Sequence, residues 1–572
     1  MGPAELPRRF PWATLIVGLS AVLFIVRLGG LGASWLPGTG AMAALYGVLA
    51  LSARIPDDFS RDAALAIVRR HRFSIALAVV VLAGVAVRLP HLNGELGHTP
   101  IDIDENRLAE NVRHFFATGE LVHTTVEHYP GAVFWLFSAA SFAGYMRLLS
   151  AGRPIPAALL PVERFVAWAR IANVGVAAGI ICLTALIGRR VFNAWTGIVA
   201  AALVAVAPLS TATTLVVRND PGMVLAVLAA VYCALASLDD ERTRWTAIGG
   251  AAAGLAAGIK YSSVFVVVPV IAAACCRGAA ARRVYRAAAA CGAFIAALAV
   301  SNHFIWADVP TLLQQLSDQV AITGAGRWSA SANPAGMYVQ VLAGHGGVGA
   351  ALLVAAALFA VYALALPRAR NLIFLAFPVL YMWFMTHRPS QFARWVFPLL
   401  PFAAVAGAGV LVAIVRGGFP ATLRSDRFDT SNRRRALSVV ATAVTALLML
   451  GQPLAGAAID ISRRFRTPTH MRAERWLAEH VQQGQTVLAE NGWLDLGDVP
   501  APVRRVPDLR AVLDGGVAAF SGAAWVVVPE PDFGHPTLKQ LALVQRFHAG
   551  QGFGGSTGYD YEIYRVPGAA PE

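Results

Sequence analysis

The sequence predicts an α-helical polytopic membrane protein that ends in a small α/β domain outside the membrane. Of its 572 residues, 57% are hydrophobic and only 14% are charged, whereas a soluble protein carries about 25% charged residues. About 13 apolar runs approach or reach the length that crosses a bilayer. After residue 460 charged residues become more frequent, and no run of that length follows.

These features divide the chain into three predicted domains. Residues 1–72 form an extra transmembrane hairpin and a basic cytoplasmic loop, and residues 73–459 form the main membrane domain. Residues 460–572 form the small periplasmic α/β domain. In that domain the patterns predict helices over 468–481 and 538–547, and strands over 486–489, 524–528 and 561–566.

The arginines between the apolar runs set the predicted topology. The net charge is +14, and arginine clusters at 189–190, 277–286 and 416–435 all face the cytoplasm if the N-terminus does. The outer loops are then 90–163, 214–220, 306–346 and 387–394. Residues 132–150 are apolar, but counting them as a span would move every later cluster outside, so we interpret them as an interfacial helix. We therefore assign the basic charge to topology and lipid headgroups, with no nucleic-acid partner.

Two features that could indicate other chemistry are structural in our interpretation. The five cysteines lie in or beside apolar runs without the spacing of metal ligands, which is typical of small core residues. Glycines at four-residue spacing near 250–258 are typical of close helix packing, and no glycine-rich phosphate loop is present.

The first large outer loop is the most polar interruption in the N-terminal third of the chain. Asp102, Asp104 and Glu105 stand there with several further acids and histidines. From residue 104 onward, polar and apolar positions follow helical spacing, which predicts a short helix lying on the membrane. A carboxylate at this boundary can act as a general base; helix capping explains one acid, but not the whole group.

Several ordered motifs resemble one enzyme family. They are Asp104-Glu105-Asn106-Arg107, Glu127-His128-Tyr129-Pro130, Ala169-Arg170, Arg218-Asn219-Asp220-Pro221, Gly258-Ile259-Lys260-Tyr261 and Arg388–Trp395 with Pro398 and Pro401. Together they resemble the GT-C class of membrane glycosyltransferases, and more narrowly the protein O-mannosyltransferase, aminoarabinose transferase and RgtA/B/C/D-like group. The likeness covers most of residues 73–415. Gly131 stands where the family's turn has a second proline.

The resemblance implies a GT-C fold and a role for each matching residue. Asp104 would be the catalytic base and Glu105 its neighbour, although the residues alone leave Asp102 and Asp104 both open. Asp102, Arg107, His128, Tyr129 and Asp220 would lie on the acceptor side or support the site. Glu127 matches a glutamate that holds a divalent ion in some members, and a divalent metal ion is the only cofactor suggested.

The expected donor is a sugar on a polyprenyl phosphate, whose phosphate leaves with negative charge. Cations at the outer boundary stabilise such charge, and the topology places Arg170, Lys260, Arg388 and Arg394 there. For Lys260 and Arg170 taken singly, snorkelling at a helix end is the slightly better explanation.

We therefore expect an enzyme of the glycosyltransferase type (hexosyl or pentosyl transfer) in a bacterial inner membrane, with an Asp base and inversion. Its acceptor would be a lipid, a glycan or a protein. A lipid-linked sugar transporter or flippase is the rival, although transporters tend to have inverted repeats and charges near the midplane. A phosphoethanolamine-type enzyme would need a nucleophile and a metal cluster in its tail, which the sequence lacks.

Overall fold

The computed structural model describes most of the chain after residue 60. The described residues are 61–89, 92, 103–120, 131–152, 155–302, 309, 310, 313, 314, 317, 333–388, 392–415, 432–464, 469–490, 494, 496, 499–506, 509–529, 532, 534–547 and 560–567. The two predicted spans of residues 1–60 thus lie outside the described part.

Helices form most of the described residues up to residue 464. In chain order they are α1 Arg61–Arg88, α2 Ile103–Thr118, α3 Gly131–Ser150, α4 Val162–Val191, α5 Ala194–Val206, α6 Pro208–Leu215, α7 Asn219–Ser237, α8 Thr243–Ile259, α9 Val267–Cys275, α10 Ala280–Ser301, α11 Pro334–Ala343, α12 Ala350–Ala365, α13 Ala369–Thr386, α14 Leu400–Val415 and α15 Asn432–Arg464. Two 3₁₀ segments, Tyr261–Val266 and Ala393–Leu399, lead into α9 and α14.

Within the described residues, eight helices are long and apolar enough to cross a membrane, or nine if α5 and α6 count as one bent span. They place this chain among multi-pass membrane proteins, as predicted, while the count of 13 is not reproduced. Gly131–Ser150 also passes this test of length and composition, so its interfacial placement stays a prediction. Neither α8 nor the Tyr261–Cys275 segment reaches 18 residues.

The helices share one continuous core. α4 and α7 supply many of its residues, and α4 is buried along most of its length. Small residues let helices approach closely: a Cβ on Gly250 or Gly254 would lie 2.1 Å from a backbone oxygen of α10. The glycines of α8 are therefore packing residues, as the sequence predicted.

The C-terminal part is an α/β domain, as predicted. A five-stranded mixed sheet has the order β2-β1-β3-β5-β4. Its elements are α16 Thr469–His480, β1 Val487–Glu490, β2 Val503–Val506, α17 Leu509–Asp514, β3 Trp525–Pro529, β4 Ala542–Phe547 and β5 Tyr561–Arg565. β2, β1 and β3 are parallel, and β3, β5 and β4 are antiparallel.

Both faces of the sheet are covered because alternate strand residues point to opposite sides. Val527 and Ile563 pack with Leu477 of α16, whereas Val526 and Leu488 pack with Leu513 of α17 and with Phe520.

The predicted helix over 538–547 is wrong. Residues Pro536–Gln540 form a 3₁₀ turn, and Ala542–Phe547 pair antiparallel with β5 as an edge strand. Arg546 also forms an ion pair with the buried Glu562 of β5. Tertiary pairing outweighs the weak local preference of this segment.

Candidate functional site

A broken helix leads into the site. The sequence predicts one run over 194–213, but the structure has two helices, α5 and α6, bent by 57°. Pro208 lacks an amide hydrogen, and Ala207 before it takes a non-helical conformation (φ −57°, ψ 127°). The proline therefore ends α5 and redirects the chain, and α6 delivers Val216 and Val217 to the start of α7.

Two buried hydrogen bonds fix this connection. The amide of the Asn173 side chain donates to the carbonyl of Val216 at 2.7 Å. The backbone N–H of Val217 donates to Oε1 of Glu105 at 3.0 Å. The short segment between α6 and α7 is thus held by α4 on one side and α2 on the other.

Glu105 also forms a buried ion pair with Arg170 of α4. The Nε and Nη2 atoms of Arg170 donate to the two carboxylate oxygens of Glu105 at 2.8 and 2.7 Å. The two residues are 1% and 4% exposed. Bidentate hydrogen bonds of this kind are specific and strong. Removing one residue of the pair would take the ion-pair partner from a buried charge on the other, which is costly. The pair anchors the first turn of α2 against α4 and the Val217 segment.

A second cluster lies at the start of α7. Nζ of Lys260 donates to Oδ1 of Asp220 at 2.7 Å, and Asp220 is 2% exposed. Lys260 follows α8 in an extended conformation, and its Nζ lies 5.7 Å from the ring centroid of Trp395. The charges of Arg394 and Arg218 also act on the Asp220 carboxylate. Three cations, Lys260, Arg394 and Arg218, thus act on one buried carboxylate.

The Ala393–Leu399 segment is fixed beside this cluster. The hydroxyl of the buried Tyr381 donates to the carbonyl of Trp395 at 2.9 Å. Arg394 lies over the ring of Phe392 at 4.7 Å, and Arg388 lies over the ring of Phe384 at 4.9 Å. These contacts orient guanidinium groups that bind phosphate well.

Arg388 belongs to the same neighbourhood through Tyr338 of α11. Burial raises the pKa of the Tyr338 phenol, and the charge of Arg388 partly offsets that rise. The Tyr338 and Tyr381 phenols are close enough to interact electrostatically. Arg388 and Tyr381 thus both interact electrostatically with Tyr338.

The predicted helix after residue 103 is confirmed as α2. Leu108 and Val112 are fully buried on one of its faces. Asp104 and Arg107 lie in its first turns, and Asp104 directly precedes Glu105. The positions Asp102, Glu127, His128 and Tyr129 lie outside the described residues.

The structure brings together Glu105 with Arg170, and Asp220 with Lys260 and Arg394. Lys260 donates the hydrogen bond to Asp220, and Arg218 contributes charge. Among the described residues no group of three or more histidines, cysteines or acids could hold a metal ion. The assigned catalytic, phosphate-binding, acceptor and metal roles stay predictions.

Two parts of this arrangement were missed by sequence reasoning. One is the backbone amide of Val217, because a sequence motif identifies side chains and not the hydrogen bonds of backbone groups. The other is Arg88, which is buried and bonded to the broken helix. Two features of the sequence indicated this arrangement: Arg88 ends one apolar run, and Pro208 lies inside another.

Comparison with known proteins gives one family match. Residues 163–306 match the family model described as "Dolichyl-phosphate-mannose-protein mannosyltransferase". The match confirms, for that part of the chain, the resemblance that the motifs indicated. No match was found among curated protein sequences.

Two solved structures are similar. The archaeal oligosaccharyltransferase AglB from Archaeoglobus fulgidus, in complex with an inhibitory peptide and a dolichol-phosphate, is 12% identical with a TM-score of 0.46, over 80% of this chain and 69% of that one. ArnT from Cupriavidus metallidurans, bound to undecaprenyl phosphate, is 14% identical with a TM-score of 0.41, over 87% of this chain and 99% of that one.

Proposed function

We propose that this protein is a GT-C glycosyltransferase that moves a sugar from a polyprenyl phosphate to an acceptor at the outer face of a bacterial inner membrane. The observation that carries the proposal is the group of three cations, Lys260, Arg394 and Arg218, that acts on the buried Asp220 carboxylate, next to the segment that anchors the first turn of α2. The name of the matched family includes a lipid-phosphate sugar, which supports this class of donor.

In the proposed reaction, Asp104 takes a proton from an acceptor hydroxyl or amine. The freed lone pair attacks the anomeric carbon as the bond from that carbon to the phosphate oxygen breaks, which inverts the configuration. The polyprenyl phosphate leaves with the electron pair of that bond. A carboxylate suits the first role, and fixed cations stabilise the charge that grows on the leaving phosphate.

The contacts favour different tasks for the four predicted cations. Arg170 is matched by a buried carboxylate through two hydrogen bonds, so we assign it, with Glu105, to holding the first turn of α2. Lys260, Arg394 and Arg388 remain the phosphate ligands of the proposal. Asp220 would orient Lys260 towards the phosphate through its hydrogen bond.

The test is Asp104→Asn in purified membranes supplied with a polyprenyl-phosphate sugar. Because Asn cannot accept the proton, we expect turnover to fall by at least about a hundredfold, the usual contribution of a general base, while donor binding persists. Asp240→Asn is the matched control, since Asp240 lies beyond the other end of α7. A folded Asp104→Asn protein with normal turnover would refute the assignment.

One observation favours the rival, a lipid-linked sugar transporter. The 57° break between α5 and α6, which together could form one bent span, is a feature that transporters share. Release of free polyprenyl phosphate in step with a glycosylated product distinguishes the two. Donor that crosses vesicle membranes with its sugar still attached would support the transporter instead.

A further inference from the structure

The break between α5 and α6 separates a hydrogen-bond pair that a continuous helix would form. Without the break, the carbonyl of Ala205 would accept from the amide of Leu209, four residues on. In the structure Leu209 N–H donates instead to the carbonyl of Gly346 at 2.9 Å. The carbonyl of Ala205 accepts from Nη1 of Arg88 at 2.8 Å. Each separated group has therefore found a new partner, as buried backbone groups require.

Arg88 holds both halves of the broken helix at once. Besides Ala205 at the end of α5, its Nε donates to Thr214 at 2.8 Å and its Nη2 to Ser210 at 3.0 Å, both in α6. Its Nη1 also donates to the carbonyl of Gly84 in its own helix, and Arg88 is 0% exposed. This pattern needs a planar fork with several N–H groups, which lysine does not have.

A second helix, α15, also forms a hydrogen bond with α6. The hydroxyl of Thr211 donates to Oδ2 of the buried Asp460 in α15 at 3.1 Å. Hydroxyls on three of the residues of α6 are thus bonded to ionisable side chains from α1 and α15. Val216 and Val217 follow directly after α6, so the orientation of α6 sets where the Val217 amide meets Glu105.

We propose that Arg88 is a positioning residue that fixes the bend and, through it, the hydrogen bond from Val217 to Glu105. It acts on the proposed reaction by holding the segment against which the first turn of α2 is anchored. The link to turnover rests on the proposed function, whereas the link to the Val217 amide does not.

The experiment is amide hydrogen–deuterium exchange of the full-length protein in detergent, with turnover measured in parallel. We compare Arg88→Met and Arg88→Lys with Arg286→Met. Arg286 is also 0% exposed and also donates to backbone carbonyls, but it binds Ser237 at the far end of α7, about 26 Å from Asp220 at the rise of an α-helix.

With Arg88→Met we expect exchange across residues 207–218 to be about tenfold faster, the change expected from losing a hydrogen bond to a charged group. Arg88→Lys should fall between that variant and wild type, and Arg286→Met should leave this segment unchanged. Turnover should drop with little change in the donor KM, because the donor's own ligands remain.

Unchanged exchange over 207–218 in folded Arg88→Met would overturn the proposal, whatever happens to turnover. Should that variant not fold, Thr214→Val removes the acceptor of the Arg88 Nε at nearly constant volume and is expected to speed exchange in the same segment. Absence of transferase activity in wild type, together with faster exchange in the variants, would refute the proposed function and leave the positioning role standing.

Discussion

The two ends of α7 carry the same kinds of charged pairs in different surroundings. At the Asp220 end, Glu105–Arg170 and Asp220–Lys260 are joined at 2.7 Å. At the Asp239 end, Asp239 meets both Arg190 and Arg370 at 2.5 Å. The distances at the Asp239 end are the shorter ones.

Burial separates the two ends. The side chains of Arg170 and Glu105 are 5% and 2% exposed, whereas those of Arg190 and Asp239 are 23% and 43% exposed. An exposed pair gains little because water screens it, while a buried pair cannot lose one member without leaving a charge in a poor solvent. Distance alone therefore does not determine how much each ion pair contributes to stability.

Replacing Arg170 with Met should have the largest effect on stability. Of the partners described above, the buried carboxylate of Glu105 would keep only the Val217 amide, so we expect a loss of about 3–5 kcal/mol in the free energy of unfolding. Unfolding in mixed micelles measures it. The double variant Glu105→Leu/Arg170→Met should lose less than Arg170→Met alone; equal losses would contradict the explanation by an unpaired charge.

Replacing Lys260 with Met should have the second-largest effect on stability. Asp220 loses a hydrogen bond to a charged donor, worth about 1.5–3 kcal/mol, but the charges of Arg394 and Arg218 still act on it. We also expect weaker binding of a short-chain prenyl phosphate, measured by titration. Lys260→Arg keeps the charge and should bind better than Lys260→Met. Identical affinities for the two variants would remove Lys260 from the phosphate site.

Part of this contrast could be predicted from sequence. The position of α2 and the presence of Asp104 and Glu105 at its start followed from polar spacing against apolar runs. The partner of Glu105 did not, because Arg170 is 65 positions away and its motif favoured a phosphate role. The bend at Ala207 was missed because an apolar run was read by its length and not by Pro208 within it. The helix predicted at 538–547 is wrong because pairing with β5 decides the structure of that segment.

At the Asp239 end the effect should be small. Asp239→Asn removes the negative partner of Arg190 and Arg370, which are themselves partly exposed, so we expect a loss of no more than about 1 kcal/mol. Turnover should be unchanged. Raising the salt concentration to about 1 M should shrink the difference between Asp239→Asn and wild type, because exposed pairs are screened. A loss as large as that of Arg170→Met would mean that burial does not rank these pairs.

Replacing Asp240, in the connection between α7 and α8, with Asn should have the smallest effect on stability. Burial raises the pKa of Asp240, but hydrogen bonds from the Arg242 amide and the Trp245 indole, with the charges of Arg242 and Arg244, together lower it below its usual value of 3.8. A carboxyl group whose pKa is lowered on folding contributes stability above its unfolded pKa and loses that contribution as pH falls through its folded pKa. Wild type and Asp240→Asn should therefore differ in melting temperature above pH 3.8 and converge below it. Thermal unfolding of both proteins across that pH range tests the direction of the pKa shift. A difference in melting temperature that widens as the pH falls would show that folding raises the pKa of Asp240, and that Arg242 and Arg244 do not keep its carboxylate charged.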